Sequence, residues 1–216
     1  MRLHLGCGQR YFDGYINIDY PLTEHSVQKT SVADEFANLF ELNYVSNSIN
    51  EIRLHHVFEH FSRAQACAML TSWNSWLVKD GVLHIEVPDF YRTARAALNP
   101  FTSMSKKFVA LRHIFGSQEA HWAVHYEGYS KYLLVSMLEL FGFEIKDFRY
   151  NNWLGTYNIE VIAIKKIEMS KAQAHEAAQI YLSHYLVSKV ESENILLKTW
   201  IEAYEQHVEM TFSRNK

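Results

Sequence analysis

The sequence predicts an α/β fold with a mostly parallel sheet, an antiparallel C-terminal hairpin and a C-terminal helical extension. Short apolar runs alternate with helical patterns through the first two thirds of the 216 residues, which is typical of parallel strands joined by crossover helices. Two apolar runs at 143–148 and 159–164 flank a turn-rich segment, which indicates a hairpin. We therefore expect an α/β domain over 1–167 and the extension over 168–216.

In the first half of the chain, four strands and one helix are expected. The strands are predicted at 2–5, 15–20, 30–36 and 49–57, with the third the weakest because its alternation is poor. Ser62 and Gln65 form a capping-box pattern ahead of apolar residues at helical spacing. The pair Asp80-Gly81 is expected to end this helix.

In the second half, a strand at 82–87 ends at Pro88 and is followed by a mixed segment rich in aromatic, histidine and basic residues. Ser130 can cap a helix whose end is marked by Gly142. The two hairpin strands follow. From Ser170 to Met210, an apolar stripe with almost no turn residues predicts one or two long helices, which need a partner surface for packing or for a homodimer.

Charge and composition narrow the classes of function. The net charge of −3 lacks the basic excess that usually accompanies nucleic-acid binding. Two cysteines, Cys7 and Cys67, cannot form a disulfide framework, which favours a reducing compartment. No signal-peptide pattern or bilayer-length apolar run is present. We expect a cytoplasmic protein that binds neither nucleic acid nor membranes.

The opening segment "LGCG" (5–8) follows the first predicted strand directly. Glycines at 6 and 8 have no Cβ and allow a backbone to approach a ligand closely. Asp19 ends the second predicted strand, where a carboxylate can accept two hydrogen bonds from the hydroxyls of a ribose. A nucleotide-type cofactor loop is therefore expected, with a plain structural turn as the alternative. Nicotinamide binding is disfavoured because the loop lacks the third glycine of G-x-G-x-x-G.

Taken in order, five segments resemble class I S-adenosylmethionine-dependent methyltransferases, and most closely their small bacterial, type 11-like branch. These segments are "LHLGCGQRYFDGYINIDY" (3–20), "VADEF" (32–36), "LHHVFEHF" (54–61), "GVLHIEVPDF" (81–90) and "GYSKYLLVSMLELFGFEI" (128–145). The resemblance covers residues 1–165. It implies a Rossmann-like methyltransferase fold with S-adenosylmethionine as the cofactor and a small-molecule or glycan acceptor.

The resemblance also implies roles for individual residues. Gly6, Cys7 and Gly8 would lie along the methionine and ribose of the cofactor. Asp19 would bind the ribose, and Asp34 would approach the adenine amino group. His56 follows the fourth strand, at the sheet edge where ligands bind in open α/β folds; it is expected either to meet the methionine amino group or the acceptor, or only to fill the rim of the sheet.

The sequence departs from the family pattern at two places. Only ten residues separate Gly8 from Asp19, too few for a crossover helix and a strand, so a short turn is expected instead. The first strand begins at the second residue, and N-terminal covering helices are therefore not expected. The segment 91–127, a possible substrate cap, or the C-terminal helices would then cover the cofactor.

Methyl transfer is an in-line displacement that needs a base only when the acceptor must lose a proton. His60, His121 and His125 are the candidate bases, although each is also explained as a packing or surface histidine. The segment 91–127 carries five basic residues, which indicate either an anionic acceptor such as a phosphorylated sugar or a solvated helix face. These residues are Arg92, Arg95, Lys106, Lys107 and Arg112.

Two other functions remain open. The residues His56, Glu59 and His60 match the H-x-x-E-H pattern of zinc metalloproteases, which requires both histidines on one helical face. Because the helix-start signal at Ser62 follows His60, we do not expect this site to form and predict no metal. The second alternative is a methyltransferase-fold scaffold that has lost turnover and binds partners through its helical tail.

Overall fold

The computed structural model describes residues 1–24 and 27–212. The last four residues of the predicted extension, 213–216, lie outside the described residues. Seven strands form one sheet: β1 Arg2–Leu5, β2 Ile16–Asp19, β3 Glu35–Phe36, β4 Ile49–His55, β5 Leu77–Pro88, β6 Phe143–Trp153 and β7 Thr156–Lys165.

The strand order is β3-β2-β1-β4-β5-β7-β6. The first five strands are parallel, and β7 is antiparallel to both β5 and β6. This confirms the predicted mostly parallel sheet with a C-terminal hairpin. Leu154 and Gly155 form the hairpin turn with φ values of 49° and 93°, as the twist of two-residue hairpins requires. Because Leu5 is paired with both Ile18 and Leu54, the loops after β1, β2 and β4 emerge at the same edge of the sheet.

In the described part of the chain, six α-helices flank the sheet: α1 Arg63–Trp76, α2 Phe90–Leu98, α3 Met104–Phe115, α4 Lys131–Leu140, α5 Lys171–Ser183 and α6 Glu191–Phe212. Both predicted helix starts are confirmed. Ser62 and Gln65 form a reciprocal capping box, and the Ser130 side chain accepts from the Leu133 amide. Between β1 and β2 the chain makes only turns, which confirms the expected replacement of the crossover helix.

Several predicted boundaries are wrong: the strands predicted at 82–87, 143–148 and 159–164 span Leu77–Pro88, Phe143–Trp153 and Thr156–Lys165. Helix α1 ends at Trp76 rather than at Asp80-Gly81, because Leu77 is buried and already pairs with Ile49 in the sheet. Asp80, at φ 61°, lies in the irregular start of β5. The third strand spans only Glu35–Phe36 rather than 30–36, since the Ala33 amide donates to the Ser31 hydroxyl at 3.0 Å and turns the chain there.

One hydrophobic cluster joins the strands with α1, α4, α5 and α6. Helix α6 packs against α1, and the Tyr204 hydroxyl lies 3.1 Å from the Thr71 hydroxyl. Residues from both predicted parts of the chain therefore share one core, while the boundary at 168 and a homodimer through these helices remain predictions. Cys7 and Cys67 are buried and unpaired. Across 1–24 and 27–212, no helix is long and apolar enough to cross a membrane.

Candidate functional site

A cavity of about 1410 Å³ opens at the carboxyl edge of the parallel strands, where open α/β sheets bind their ligands. The loops after β1, β2, β3 and β4, the residue Glu86, a segment at 119–126 and the β6–β7 hairpin line it. Most of the predicted site residues meet on this wall: Gly6, Cys7, Gly8, Asp19, His56, His60 and His121.

The opening loop favours glycine at positions 6 and 8 for different structural reasons. Both have a positive φ, 64° for Gly6 and 55° for Gly8, which favours glycine. A Cβ on Gly6 would overlap the Val57 side chain, whereas a Cβ on Gly8 would meet no atom within 4 Å. Gly6 therefore lets the loop pack against the loop after β4, and Gly8 leaves backbone open to a ligand.

We expect Gly6→Ala to lower the free energy of unfolding by about 1–3 kcal/mol more than Gly14→Ala does. Both replacements introduce positive-φ strain, since Gly14 has φ 78°, but only the Cβ at position 6 meets a neighbour, and overpacking has a cost of this order. Urea titration of both variants measures the difference. Equal losses would show that the Val57 contact relaxes freely.

Asp19 lies at the end of β2 and is only 6% exposed. Its Oδ1 accepts from the Tyr20 amide at 2.9 Å, and its Oδ2 accepts from Gln28 Nε2 at 3.3 Å. These contacts orient the carboxylate on the cavity wall. The carboxylate retains acceptor capacity for a bound ligand, because each of its oxygens has two lone pairs.

Asp34 is not brought together with these residues. It is exposed, does not line the cavity, and its Oδ2 accepts from the Asn17 amide at 2.8 Å and from Asn17 Nδ2 at 2.9 Å. These hydrogen bonds lower the pKa of Asp34. Because β3 is only Glu35–Phe36, Asp34 precedes that strand, and the residues beyond its carboxyl end line the cavity instead: Asn38, Leu39 and Phe40.

His56 lies between two carboxylates, with Nδ1 3.2 Å from Glu59 Oε1 and Nε2 3.3 Å from Glu86 Oε1. Burial alone would lower its pKa, but the hydrogen bonds and charges of the two glutamates raise it to about 10. The imidazole is therefore protonated at neutral pH and donates from both nitrogens. It is a cation that holds the two carboxylates, and it can act neither as a base nor as a metal ligand in this state.

The H-x-x-E-H segment does not form a zinc-protease helix. Phe58–His60 is a single 3-10 turn, and His56 has a left-handed φ of 56°. His56 and His60 therefore do not share a helical face, as the position of Ser62 predicts. The hydrolase arrangement of His56, Glu59 and His60 is not present.

The three candidate bases do not all line the same cavity, although the rings of His60 and His125 lie against each other with centroids 4.7 Å apart. His60 and His121 line the large cavity, whereas His125 lines an adjoining cavity of about 270 Å³ together with His56 and His113. Burial lowers the pKa of His125, so its imidazole is neutral at pH 7. The structure therefore places two of the three candidates on the wall of the cavity that the glycine loop also lines.

The cover of the cavity comes from the end of the predicted cap, the segment 117–127. Trp122 Nε1 donates to the Glu24 carbonyl at 2.9 Å, and the Tyr126 amide donates to the Glu59 carbonyl at 2.8 Å. The segment is thereby held across the loops after β2 and β4. Within 1–24 and 27–212, no residue of α2, α3, α5 or α6 lines the cavity.

The basic residues predicted to attract an anionic acceptor also lie away from this cavity. None of the five lines it, and Arg92 packs over the rings of Tyr150 and Tyr157. Lys106 and Arg112 are exposed on α3, which favours the solvated-face alternative. Among the described residues, Arg10 and Lys29 are the arginine and the lysine that line the cavity, together with the protonated His56.

Sequence reasoning missed two groups of lining residues. Glu86 alternates with the apolar Ile85 and Val87 near the carboxyl end of β5, and this alternation was a usable signal. The hairpin residues carry no such local signal, because only the pairing of β7 with β5 brings them to the cavity. They are Asn151, Asn152, Trp153, Thr156 and Asn158.

Comparisons with known proteins agree with this geometry at the level of fold. No protein-family model and no curated protein sequence matches the chain. Among solved structures, it is similar to the 1,6-didemethyltoxoflavin-N1-methyltransferase of Burkholderia thailandensis, with 15% identity, a TM-score of 0.50, and 77% of this chain and 71% of the other covered. That protein was solved with 1,6-didemethyltoxoflavin and S-adenosylhomocysteine bound.

Two further methyltransferases give similar values. An S-adenosylmethionine-dependent methyltransferase from Methanosarcina mazei matches at 13% identity and TM-score 0.50, covering 77% of this chain and 92% of the other. One from Mesorhizobium loti matches at 12% identity and TM-score 0.50, covering 76% and 89%. At these identities the similarity establishes the fold, so the chain has the Rossmann-like fold of class I S-adenosylmethionine-dependent methyltransferases.

Proposed function

We propose that this protein is an S-adenosylmethionine-dependent methyltransferase that transfers a methyl group to a small-molecule or glycan acceptor. The observation that carries the proposal is the convergence of the Gly8 backbone and the Asp19 carboxylate on one cavity, at the carboxyl ends of the adjacent strands β1 and β2. The resemblance of the ordered sequence motifs and the fold of the solved methyltransferases support it.

The residues present fit this cofactor. Asp19 offers acceptors for the ribose hydroxyls. The uncovered backbone at Gly8 allows the methionine chain of the cofactor to lie against it. Leu39 and Phe40 offer apolar surface for an adenine, with the Asn38 amide beside them. Glu86 offers a carboxylate for the methionine ammonium group, held in place by His56. When bound, the cofactor supplies the methyl group as an electrophile.

The remaining wall suits an acceptor with hydroxyl groups and a hydrophobic face. Asn151 and Asn152 provide amides, while Trp153 is 70% exposed and Tyr126 is 54% exposed. Aromatic rings pack on the apolar face of a sugar, and amides bind its hydroxyls. His60 and His121 lie on the same wall and are the proposed sources of a base for an acceptor that must lose a proton.

Isothermal titration calorimetry with S-adenosylmethionine and S-adenosylhomocysteine tests the cofactor assignment. We expect one site per chain, and absence of binding to the wild-type protein would contradict the proposal. A screen of nucleotide-sugar and glycan acceptors with methyl-labelled cofactor then tests turnover. Binding without transfer to any acceptor class would favour the inactive scaffold instead.

A further inference from the structure

Three side chains with metal-ligand atoms converge where the turn after β4 meets the covering segment 117–127. Glu59, His60 and His125 each offer one such atom, and the three atoms lie within 4.8 Å of one another. Glu59 is 1% exposed, and His125 is 10% exposed at its side chain. The cluster lies beside the cofactor cavity, which His60 lines.

Backbone carbonyls orient both histidines in the same way. His60 Nδ1 lies 3.1 Å from the Val124 carbonyl oxygen, and His125 Nδ1 lies 3.1 Å from the His113 carbonyl oxygen. A carbonyl oxygen only accepts, so each Nδ1 is the donor, and in the tautomer protonated there the Nε2 lone pair is available to a metal. Histidines that bind metals are typically held by such a hydrogen bond from the other ring nitrogen.

Glu59 contributes a carboxylate that is not satisfied by protein groups. Its Oε1 pairs with His56, but its Oε2 is buried and has no hydrogen-bond partner among the described residues. His125 Nε2 is 3.9 Å from Glu59 Oε1, beyond hydrogen-bonding distance. An unsatisfied buried carboxylate oxygen is costly, and coordination to a cation would remove that cost.

We propose that Glu59, His60 and His125 bind one divalent transition-metal ion of the zinc type. Two imidazoles and a carboxylate suit this class of ion and leave a fourth position for water or for a ligand in the cavity. Bonds of about 2.0–2.2 Å place tetrahedral ligand atoms about 3.4 Å apart, so binding needs only small side-chain movements. The other cluster, His55, His84 and Glu160, differs because His84 Nε2 already hydrogen-bonds to Glu160.

This site changes the interpretation of the neighbouring cavity. The ion joins the Phe58–His60 turn to the segment 117–127, and it thereby fixes the cover of the cofactor loop. It also removes His60 and His125 from the candidate bases and leaves His121. The inference goes beyond the proposed function and does not depend on methyl transfer.

Zinc chloride titrated calorimetrically into the chelator-treated full-length protein tests the site directly. We expect one zinc ion per chain and a loss of affinity of about 100-fold or more in His125→Ala, since ligand loss exceeds the 10- to 100-fold effect of second-shell changes. His175→Ala is the matched control, because His175 pairs with Glu205 on the helical surface. It should bind zinc as the wild type does.

Glu59→Gln provides a second ligand variant of nearly unchanged shape, and circular dichroism establishes that each variant is folded. Co²⁺ substitution adds a spectroscopic readout. We expect the visible absorption of a tetrahedral site in the wild type and in His175→Ala, and its loss in the two ligand variants, His125→Ala and Glu59→Gln. No stoichiometric zinc binding, or equal zinc affinity in the wild type and both ligand variants, overturns the proposal. S-adenosylhomocysteine titration of the same samples separates this outcome from failure of the proposed cofactor site.

Discussion

Replacement of Asp19 by alanine is expected to weaken S-adenosylhomocysteine binding by about 30-fold or more. The buried carboxylate at the end of β2 is proposed to accept hydrogen bonds from the ribose hydroxyls, and bonds to charged groups are each worth about 1.5–3 kcal/mol. A net loss of about 2 kcal/mol corresponds to that change in Kd. Calorimetric titration of the folded variant measures it.

Asp34→Asn is the matched control for Asp19→Ala. Asp34 was also expected to contact the cofactor, but its carboxylate binds Asn17 outside the cavity. We expect the affinity of Asp34→Asn for S-adenosylhomocysteine to be within about twofold of the wild type. A twofold change in Kd corresponds to a free energy of RT ln 2, which is much smaller than the free energy of one lost hydrogen bond. A large loss of affinity in Asp34→Asn with none in Asp19→Ala would reverse the two assignments.

The same Asp34→Asn variant should also show a weaker dependence of stability on acid pH. Hydrogen bonds from the Asn17 amide and side chain lower the pKa of Asp34 in the folded state. The ionised carboxylate therefore stabilises the fold above its ordinary pKa, and this contribution is lost as pH falls through the lowered value. Urea unfolding of both proteins across that acidic range tests the sign. If the free energy of unfolding changed identically with pH in the wild type and in Asp34→Asn, Asp34 would not contribute to the loss of stability in acid.

Replacement of Tyr204 by alanine is expected to lower the free energy of unfolding by about 3–5 kcal/mol, as for other large buried aromatic residues. Tyr204 is 1% exposed in α6 and contacts Thr71 in α1 through its hydroxyl. For a chain of this length, each kcal/mol changes Tm by about 2–4 °C, so we expect a decrease of about 10 °C. Thermal unfolding followed by circular dichroism measures it.

Two controls separate the packing of Tyr204 from other effects. Tyr204→Phe keeps the ring and should cost about 1 kcal/mol for the hydroxyl contact. Tyr132→Ala removes a tyrosine that is 85% exposed on α4 and should leave Tm nearly unchanged. If Tyr204→Ala unfolded in two separate transitions, α5 and α6 would form an independent unit, and our interpretation that they share one core with the sheet would be wrong.

Elements that depend on neighbours a few residues apart could be predicted from the sequence. The capping box at Ser62 and Gln65 and the cap at Ser130 act within one helical turn, and they start α1 and α4 where expected. The glycine–aspartate spacing likewise predicted a short connection between β1 and β2. The alternation of apolar runs was sufficient to indicate a mostly parallel sheet with a terminal hairpin.

The remaining features of the fold and of the site depend on contacts between segments that are distant in the sequence. Because β3 is short, Asn38, Leu39 and Phe40 rather than Asp34 line the part of the cavity that we propose for adenine, and only sheet pairing determines which residues pass the carboxyl edge. The charge on His56 arises from Glu86 on the adjacent strand. The sequence motif thus indicated a cofactor loop. The cover of the cavity, the wall that we propose for the acceptor, and the convergence of His125 with Glu59 required the folded chain, since strand register and long-range packing bring those side chains together.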